Sequence, residues 1–193
     1  MAAQYGVSRM TVRQAMSQLE AEGYVDRRHG TGTFVSGNVQ SSVRRMNRLG
    51  SFQDDIGIAK SKLTTRVHVQ EVLAVPPDIQ SELRLKPEQQ VIHLVRVRSL
   101  YGKPVALQES FIPYAVAPGI ARAPLAKDSL YRSLADSGVV LGYAEQRVSA
   151  SSATAEQAEL LSIDEGSPLV AIERLTYSVD STPIECAHSW TRP

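Results

Sequence analysis

The chain has 193 residues, 42% of them hydrophobic, with a single cysteine and a formal net charge of +1. That length supports one sizeable core, or a small domain joined to a larger one. The lone Cys186 excludes an intrachain disulfide framework and any cysteine-based zinc site, which points to a reducing, cytoplasmic setting. No apolar run approaches membrane-spanning length, and the first residues lack the basic and apolar regions of a signal peptide. Charge is unevenly spread: residues 1–48 carry seven arginines against Glu20, Glu22 and Asp26, a balance of +4 that leaves −3 for the remainder. A basic N-terminal part suits a nucleic-acid partner.

Residues 1–5 read as the tail of a helix, and Gly6-Val7 turns into the next one, the outline of a helix-turn-helix. Ser8 is an N-cap residue, Val12, Ala15, Met16 and Leu19 recur at helical spacing, and Gly23 is a C-terminal stop. Arg9, Thr11 and Arg13 fall on another face, cationic and hydroxylated, as a helix entering a DNA major groove requires. Residues 24–35 read as two short strands around a glycine-bearing turn, a wing with Arg27, Arg28 and His29 near its tip. Gly30 and Gly32 let that backbone approach phosphates closely. Taken singly, an exposed helix arginine is ordinarily a solvated charge and His29 an ordinary turn residue; turn, helix and wing in this order give them a nucleic-acid reading. Residues 37–48 are polar and lack a sustained period, which predicts a linker with solvated Arg44, Arg45 and Arg48.

From Leu49 the pattern changes to long strands separated by short helices. Strands are expected at 63–73, 90–101, 104–113, 140–150, 168–179 and 182–190, and helices near 51–58, 77–84, 128–137 and 154–161. Gly102-Lys103 and Asp180-Ser181 read as tight hairpin turns, so most neighbouring strands should be antiparallel. Residues 77–98 superpose without gaps on 155–176 at an offset of 78, matching Leu83 with Leu161, Leu94 with Ile172 and Arg96 with Arg174. Beyond the hairpin turns Pro104 meets Pro183 with one extra loop residue. Each unit is strand, helix and hairpin, and two units can pool their strands into one sheet.

Arg96 and Arg98 lie two apart on a strand, so both point to one face and can converge on one anion. A guanidinium offers a planar fork of donors that fits phosphate or carboxylate. A turn at Gly102-Lys103 sets Glu109 opposite Arg96, so a plain cross-strand ion pair on a solvated face is the competing reading. His68, His93 and His188 make no zinc spacing, Cys186 reads as a buried thiol, and no metal or cofactor is expected. No activated serine or cysteine constellation is evident either, so no catalytic residue is assigned.

The run from Tyr5 to Ala15, Leu19 to Gly23, and Arg28-His-Gly-Thr-Gly-Thr-Phe-Val35 resembles the winged helix-turn-helix of GntR-family transcription regulators. The resemblance implies that Ser8, Arg9, Thr11 and Arg13 contact DNA from the recognition helix, and Arg28, His29 and Gly30 from the wing. The family pattern also has an earlier helix and an acidic-arginine element, which implies an N-terminally truncated domain over residues 1–36. Residues 49–193 resemble the UTRA effector-binding domain of the HutC branch, a chorismate-lyase-like fold. The residues carrying it are Ser51-Phe52, Arg96-Val-Arg98, Pro104 to Ser110, Asp128-Ser-Leu-Tyr131 and Pro183-Ile-Glu185. Family members continue past Thr191-Arg192-Pro193 through a final strand, so the C-terminal end is expected to be incomplete as well.

By that resemblance Ser51, Arg96, Arg98, Ser129 and Tyr131 supply phosphate donors, Glu109 and Glu185 accept sugar hydroxyls, and Phe52 and Trp190 pack on an apolar ring face. For Trp190, and for Tyr131 at helical spacing from Leu134, core packing is an equal alternative. The expectation is an α+β chain: a partial winged helix-turn-helix followed by a mainly antiparallel sheet with flanking helices. Its function is that of an effector-responsive, homodimeric repressor of double-stranded operator DNA, released by a small anionic metabolite such as a sugar phosphate or organic acid. Two alternatives stay open, a chorismate-lyase-like enzyme on the same sheet and a ligand-free oligomerisation domain.

Overall fold

The computed structural model describes residues 6–21, 25–28, 32–35, 44–46, 63–127 and 129–193. The chain divides into two compact units, Met1–Ser42 and Val43–Pro193.

In the first unit, helix α1 (Arg9–Ala21) is opened by Ser8, whose Oγ accepts from the Thr11 amide at 3.1 Å. This satisfies one of the donors that a helix start leaves unpaired. Val12 and Met16 are half-buried, whereas Ala15 and Leu19 are exposed, so the buried stripe is narrower than the apolar spacing suggests. The strands β1 (Val25–Arg28) and β2 (Gly32–Val35) pair antiparallel, with Arg28 opposite Gly32.

The second unit is built on a seven-stranded antiparallel sheet. Its strands are β3 (Arg44–Met46), β4 (Leu63–Ala74), β5 (Gln90–Leu100), β6 (Lys103–Pro113), β7 (Leu141–Ser152), β8 (Pro168–Ser178) and β9 (Pro183–Thr191). Their order across the sheet is β3-β7-β8-β9-β6-β5-β4. Arg44–Met46, placed by sequence in a linker, is instead an edge strand with Arg44 opposite Gln146 of β7. The helices are α2 (Pro77–Glu82), α3 (Leu130–Asp136) and α4 (Ala155–Leu161), with a 3-10 turn at Pro118–Arg122. Thr154 and Gln157 cap α4 reciprocally, each side chain holding the other's backbone amide.

The offset of 78 residues between the two repeats carries through the structure. It superposes β4, α2 and β5 on β7, α4 and β8, and β6 corresponds to β9. The irregularities also repeat: Val105 is extra on β6 opposite the Arg98–Ser99 step, and Ile184 is extra on β9 opposite the Thr176–Tyr177 step. The two halves meet where β6 pairs β9.

Apolar alternation sorts the core between the two faces of the sheet. On one face Ile92, Leu94 and Ile112 pack under Ile120, Leu125, Leu130 and Leu134 from the segment between β6 and β7. The side-chain amide of Gln70 on β4 ties that segment down, donating to the carbonyls of Ile120 at 2.7 Å and Ala123 at 3.0 Å. On the other face α4 covers Val95, Val97, Leu107 and Leu169, and α2 covers Val91, Phe111 and Cys186. Each fully buried Leu or Ile contributes about 1.5–3 kcal/mol relative to an exposed one, so these clusters set the sheet's shape before any polar site is added.

Candidate functional site

Polar side chains gather on the face that α3 covers. Residues directly opposite in the ladder share a face, so the register reads out as rows. One row runs Arg96, Gln108, Ser189 and Ile172; the next runs Leu94, Ser110, Ala187, Arg174 and Gln146. Glu185 and Thr176, opposite each other, follow on the same side. Arg98 stands two residues beyond Arg96 on that face.

These groups are buried polar chemistry in the middle of a sheet. Arg96 and Arg98 are each 6% exposed, Glu185 3%, Ser110 1% and Thr176 fully buried. The Glu185 carboxylate accepts from Ser110 Oγ at 2.9 Å and Thr176 Oγ1 at 3.1 Å. Tyr131, in the first turn of α3, shares a hydrogen bond of 3.2 Å with Thr176 Oγ1, which fastens the covering helix to the network. Arg174 donates to Gln146 Oε1 through Nε at 3.3 Å and Nη2 at 3.0 Å.

Burial sets the electrostatics. It pulls the Arg96 guanidinium below its ordinary range, opposed by the charge of Glu185. Arg98 falls to about 10, through desolvation and then through repulsion from Arg96. Tyr131 is pushed up by burial and by the nearby Glu185 carboxylate, so its phenol stays protonated. Arg96 Nε and Gln108 Oε1 are buried without a hydrogen-bond partner, a costly state for polar atoms.

The structure brings together Arg96, Arg98, Tyr131 and Glu185, with Ser129 at the N-cap of α3, where its side chain makes no cap hydrogen bond. It does not bring Glu109 to them. The hairpin turns at Tyr101-Gly102, both with positive φ, one residue earlier than Gly102-Lys103, and Val105 then bulges. The net slip is one residue, so Gln108 and not Glu109 faces Arg96, and a slip of one reverses every side chain.

Glu109 therefore lies on the opposite face, where its Oε1 is 2.8 Å from His93 Nε2 and its Oε2 is 3.8 Å from His188 Nδ1. Trp190 is on that face too, packed against the cluster under α4, so its position fits core packing and not a sugar ring. Ser51 and Phe52 lie outside the described residues. Gln108, Ser110, Thr176, Arg174 and Gln146 were not singled out as pocket residues from sequence. The repeat was the available signal for Arg174, since it matches Arg96.

A cleft of about 390 Å³ opens on the Glu109 face, lined by Asp78, Glu82, Glu145 and Glu173 with Arg147, Cys186 and His188, and reached at its edge by Gln146 and Arg174. Its four carboxylates suit an anion poorly, and the buried arginines lie across the sheet from it. Among the described residues no group of three or more His, Cys, Asp or Glu is placed to hold a metal ion, and no helix is long and apolar enough to cross a membrane.

In the first unit Ser8, Thr11 and Arg13 are exposed on α1, with Ser8 Oγ and Thr11 Oγ1 2.9 Å apart. Arg9 is the first residue of that helix and Arg28 ends β1. His29 and Gly30 lie outside the described residues.

The described residues thus comprise a helix followed by a two-stranded hairpin, and a repeated sheet with two buried arginines on one face. The model of the UTRA domain matches residues 59–193, and that of bacterial regulatory proteins, gntR family, matches residues 1–35. The HTH-type transcriptional repressor NagR of Bacillus subtilis (strain 168) is 31% identical over 189 residues, 97% of this chain and 76% of NagR. The mannosyl-D-glycerate transport/metabolism system repressor MngR of Escherichia coli (strain K12) is 29% identical, covering 94% of this chain and 75% of MngR. Among solved structures, PhnF from Mycobacterium smegmatis superposes with a TM-score of 0.68 at 26% identity, over 99% of this chain and 83% of PhnF. The C-terminal domain of the histidine utilization repressor from Pseudomonas syringae pv. tomato gives 0.65 at 27% identity, over 68% of this chain and 92% of that domain.

The chain belongs to the GntR family of bacterial transcription regulators and carries that family's UTRA domain. It is an effector-responsive transcriptional repressor and not an enzyme, as its named relatives are. Repressors of this family bind operator DNA and effector ligands.

Proposed function

We propose that the second unit binds a small anionic metabolite, a sugar phosphate or an organic acid, between β5, β6 and α3, and that occupancy releases the first unit from its operator. The observation that carries this reading is a pair of arginines on one strand, both buried, one with an unpartnered donor. Arg96 and Arg98 hold the anion, Ser129 and Tyr131 border it from α3, and Glu185 with its two hydroxyl donors sets the polar floor. The name of the Escherichia coli relative points the same way, since glycerate is a carboxylate.

On the DNA side, Ser8, Arg9, Thr11 and Arg13 of α1 read the major groove and Arg28, His29 and Gly30 of the wing contact the backbone. Two copies bind a palindromic site as a homodimer. The division of labour is a DNA-binding domain over residues 1–36, a connecting segment from residue 37, and an effector-binding and dimerising domain ending at Pro193. Arg174 joins the pocket face to Gln146, which stands opposite Arg44 on β3, the first described strand of the second unit. Coupling of about 1–3 kcal/mol between sites gives a several-fold to hundred-fold change in DNA affinity.

Thermal unfolding against a panel of sugar phosphates and organic acids tests the effector class. A ligand at a hundred times its dissociation constant adds about 2.7 kcal/mol to stability. A clear rise in Tm with anionic members alone supports the reading; stabilisation only by uncharged sugars overturns it.

A further inference from the structure

Resting on the anionic-effector reading above, we infer that Gln70 is a positioning residue for the effector site: it fixes the covering segment that delivers Ser129 and Tyr131, and through them the grip on the anion. Gln70 stands on β4 opposite Leu94 of β5, at the head of the row that continues through Ser110, Ala187 and Arg174. That is the face α3 covers, where β4 also offers Val67 to the cluster under the segment between β6 and β7. An apolar side chain packs there without penalty, whereas a half-buried amide is costly unless its hydrogen bonds are made. Gln70 Nε2 makes two, to the carbonyl of Ile120 at 2.7 Å and to that of Ala123 at 3.0 Å.

The amide nitrogen carries two N–H groups, and both carbonyls it meets belong to the 3-10 turn at Pro118–Arg122 and the residue after it. Two directed bonds from one nitrogen fix the orientation of that turn as well as its height over the sheet. Apolar contact alone is non-directional and lets a segment slide. The chain beyond the turn is tightly folded: Ala123 N–H donates to the Ile120 carbonyl at 3.3 Å, Leu125 N–H to that of Ala123 at 2.9 Å, and Lys127 N–H to that of Pro124 at 2.9 Å. Ile120, Leu125 and Leu130 are buried in one cluster, with Tyr131 packed against it. Ser129 and Tyr131 flank Leu130, so the seating of this cluster sets where their hydroxyls stand. An anion between β5 and α3 therefore meets arginines placed by the ladder and hydroxyls placed by a segment that Gln70 anchors.

The test titrates inorganic phosphate calorimetrically into the full chain, at a temperature well below the unfolding midpoint of every variant. The cycle compares wild type, Gln70→Met, Ser129→Ala with Tyr131→Phe, and all of these changes together. Gln70→Met keeps an unbranched stem and removes the amide. It is expected to weaken phosphate binding about tenfold, as misaligned hydrogen bonds to a charged group do. In the background lacking both hydroxyls the same change is expected to alter phosphate affinity by less than about twofold, because the groups it positions are gone. A glutamine with a merely structural role lowers Tm and leaves the dissociation constant alone, or shifts that constant equally in both backgrounds; either result overturns the positioning role alone. Gln70→Ala provides a second cycle where the methionine variant does not fold. Wild type that does not bind phosphate, or that binds it as tightly after Arg96→Ala, overturns the anionic-effector reading, and this inference with it.

Discussion

Arg96 on β5 and Arg174 on β8 occupy the same position in two structural repeats 78 residues apart, and both project onto the face of the sheet that α3 covers. The repeats have diverged around them. Arg96 is almost fully buried between Glu185 and Arg98, whereas Arg174 is half-buried and bonds Gln146. In the proposed function the first arginine holds the effector, while the second braces β8 to β7. Removing Arg174 by an Arg174→Met change, which keeps the apolar stem, is expected to reduce the DNA response to effector more than effector affinity itself. Parallel titrations of effector and DNA measure the two.

Among the described residues Glu185 is the only buried carboxylate, and it accepts from the hydroxyls of Ser110 and Thr176. Replacing it with glutamine leaves Arg96 buried without its counter-charge. The Glu185 charge opposes the effect of burial on Arg96, and the carboxylate accepts from Ser110 and Thr176, so Glu185→Gln is expected to unfold at a lower urea concentration. The same change makes the pocket more positive. Inorganic phosphate is therefore expected to stabilise the variant more than wild type, which thermal unfolding at graded phosphate concentrations reads directly.

The opposite face carries a different titrating group. The Cys186 thiol and the Glu109 carboxylate hold His188 up to about 10. The neighbouring His188, and then the hydrogen bond from His93, hold Glu109 below its ordinary value despite burial. For His188 the folded value exceeds the unfolded one, so its contribution is complete below about pH 6.5 and lost as pH rises through about 10. For Glu109 the folded value is the lower, so its contribution is present above the unfolded carboxyl range and lost as pH falls through the depressed value. His188→Gln is expected to flatten the fall in Tm between pH 7 and 10 while leaving phosphate affinity unchanged, since the histidine is across the sheet from the arginines.

Local geometry makes two backbone positions sensitive. A Cβ on Gly142 would lie 2.5 Å from the Ser178 carbonyl oxygen, where β7 carries an extra residue opposite β8. Gly142→Ala is expected to destabilise the second unit by about 1–3 kcal/mol, as overpacking against backbone does, seen as a lower urea midpoint. Ser8→Ala removes the α1 cap and is expected to cost about 1 kcal/mol of helix stability, measurable by circular dichroism of the first unit's transition.

DNA contacts on α1 follow the salt law of phosphate binding. Arg13 is exposed on the helix, and Arg13→Ala is expected to lower the slope of log affinity against log salt by about 1 if it meets a phosphate. A base contact would instead relax sequence preference with a smaller change in slope.

Much of this was legible in the residues. Long alternating strands, the offset of 78 and the paired arginines depend on side-chain period and chemistry, which sequence displays directly. Glu109 was misplaced because register depends on a turn and a bulge: Tyr101 takes a left-handed conformation that its side chain does not advertise, and Val105 looks like any strand residue. Trp190 lies on the other face because side chains alternate along β9, which runs without irregularity from Glu185 to Trp190, an odd number of residues apart. Arg44–Met46 was unreadable as a strand because three residues carry no period.

The most direct test of the account is DNA binding on an operator selected from a random-sequence pool, titrated with a phosphorylated sugar that stabilises the protein, for wild type and Arg96→Ala. Wild type is expected to lose between about fivefold and 150-fold in DNA affinity as the sugar phosphate is added. Arg96→Ala is expected to bind the same DNA equally well and not respond. An equal loss of DNA affinity in both proteins would contradict the assignment of the effector site to the buried arginines.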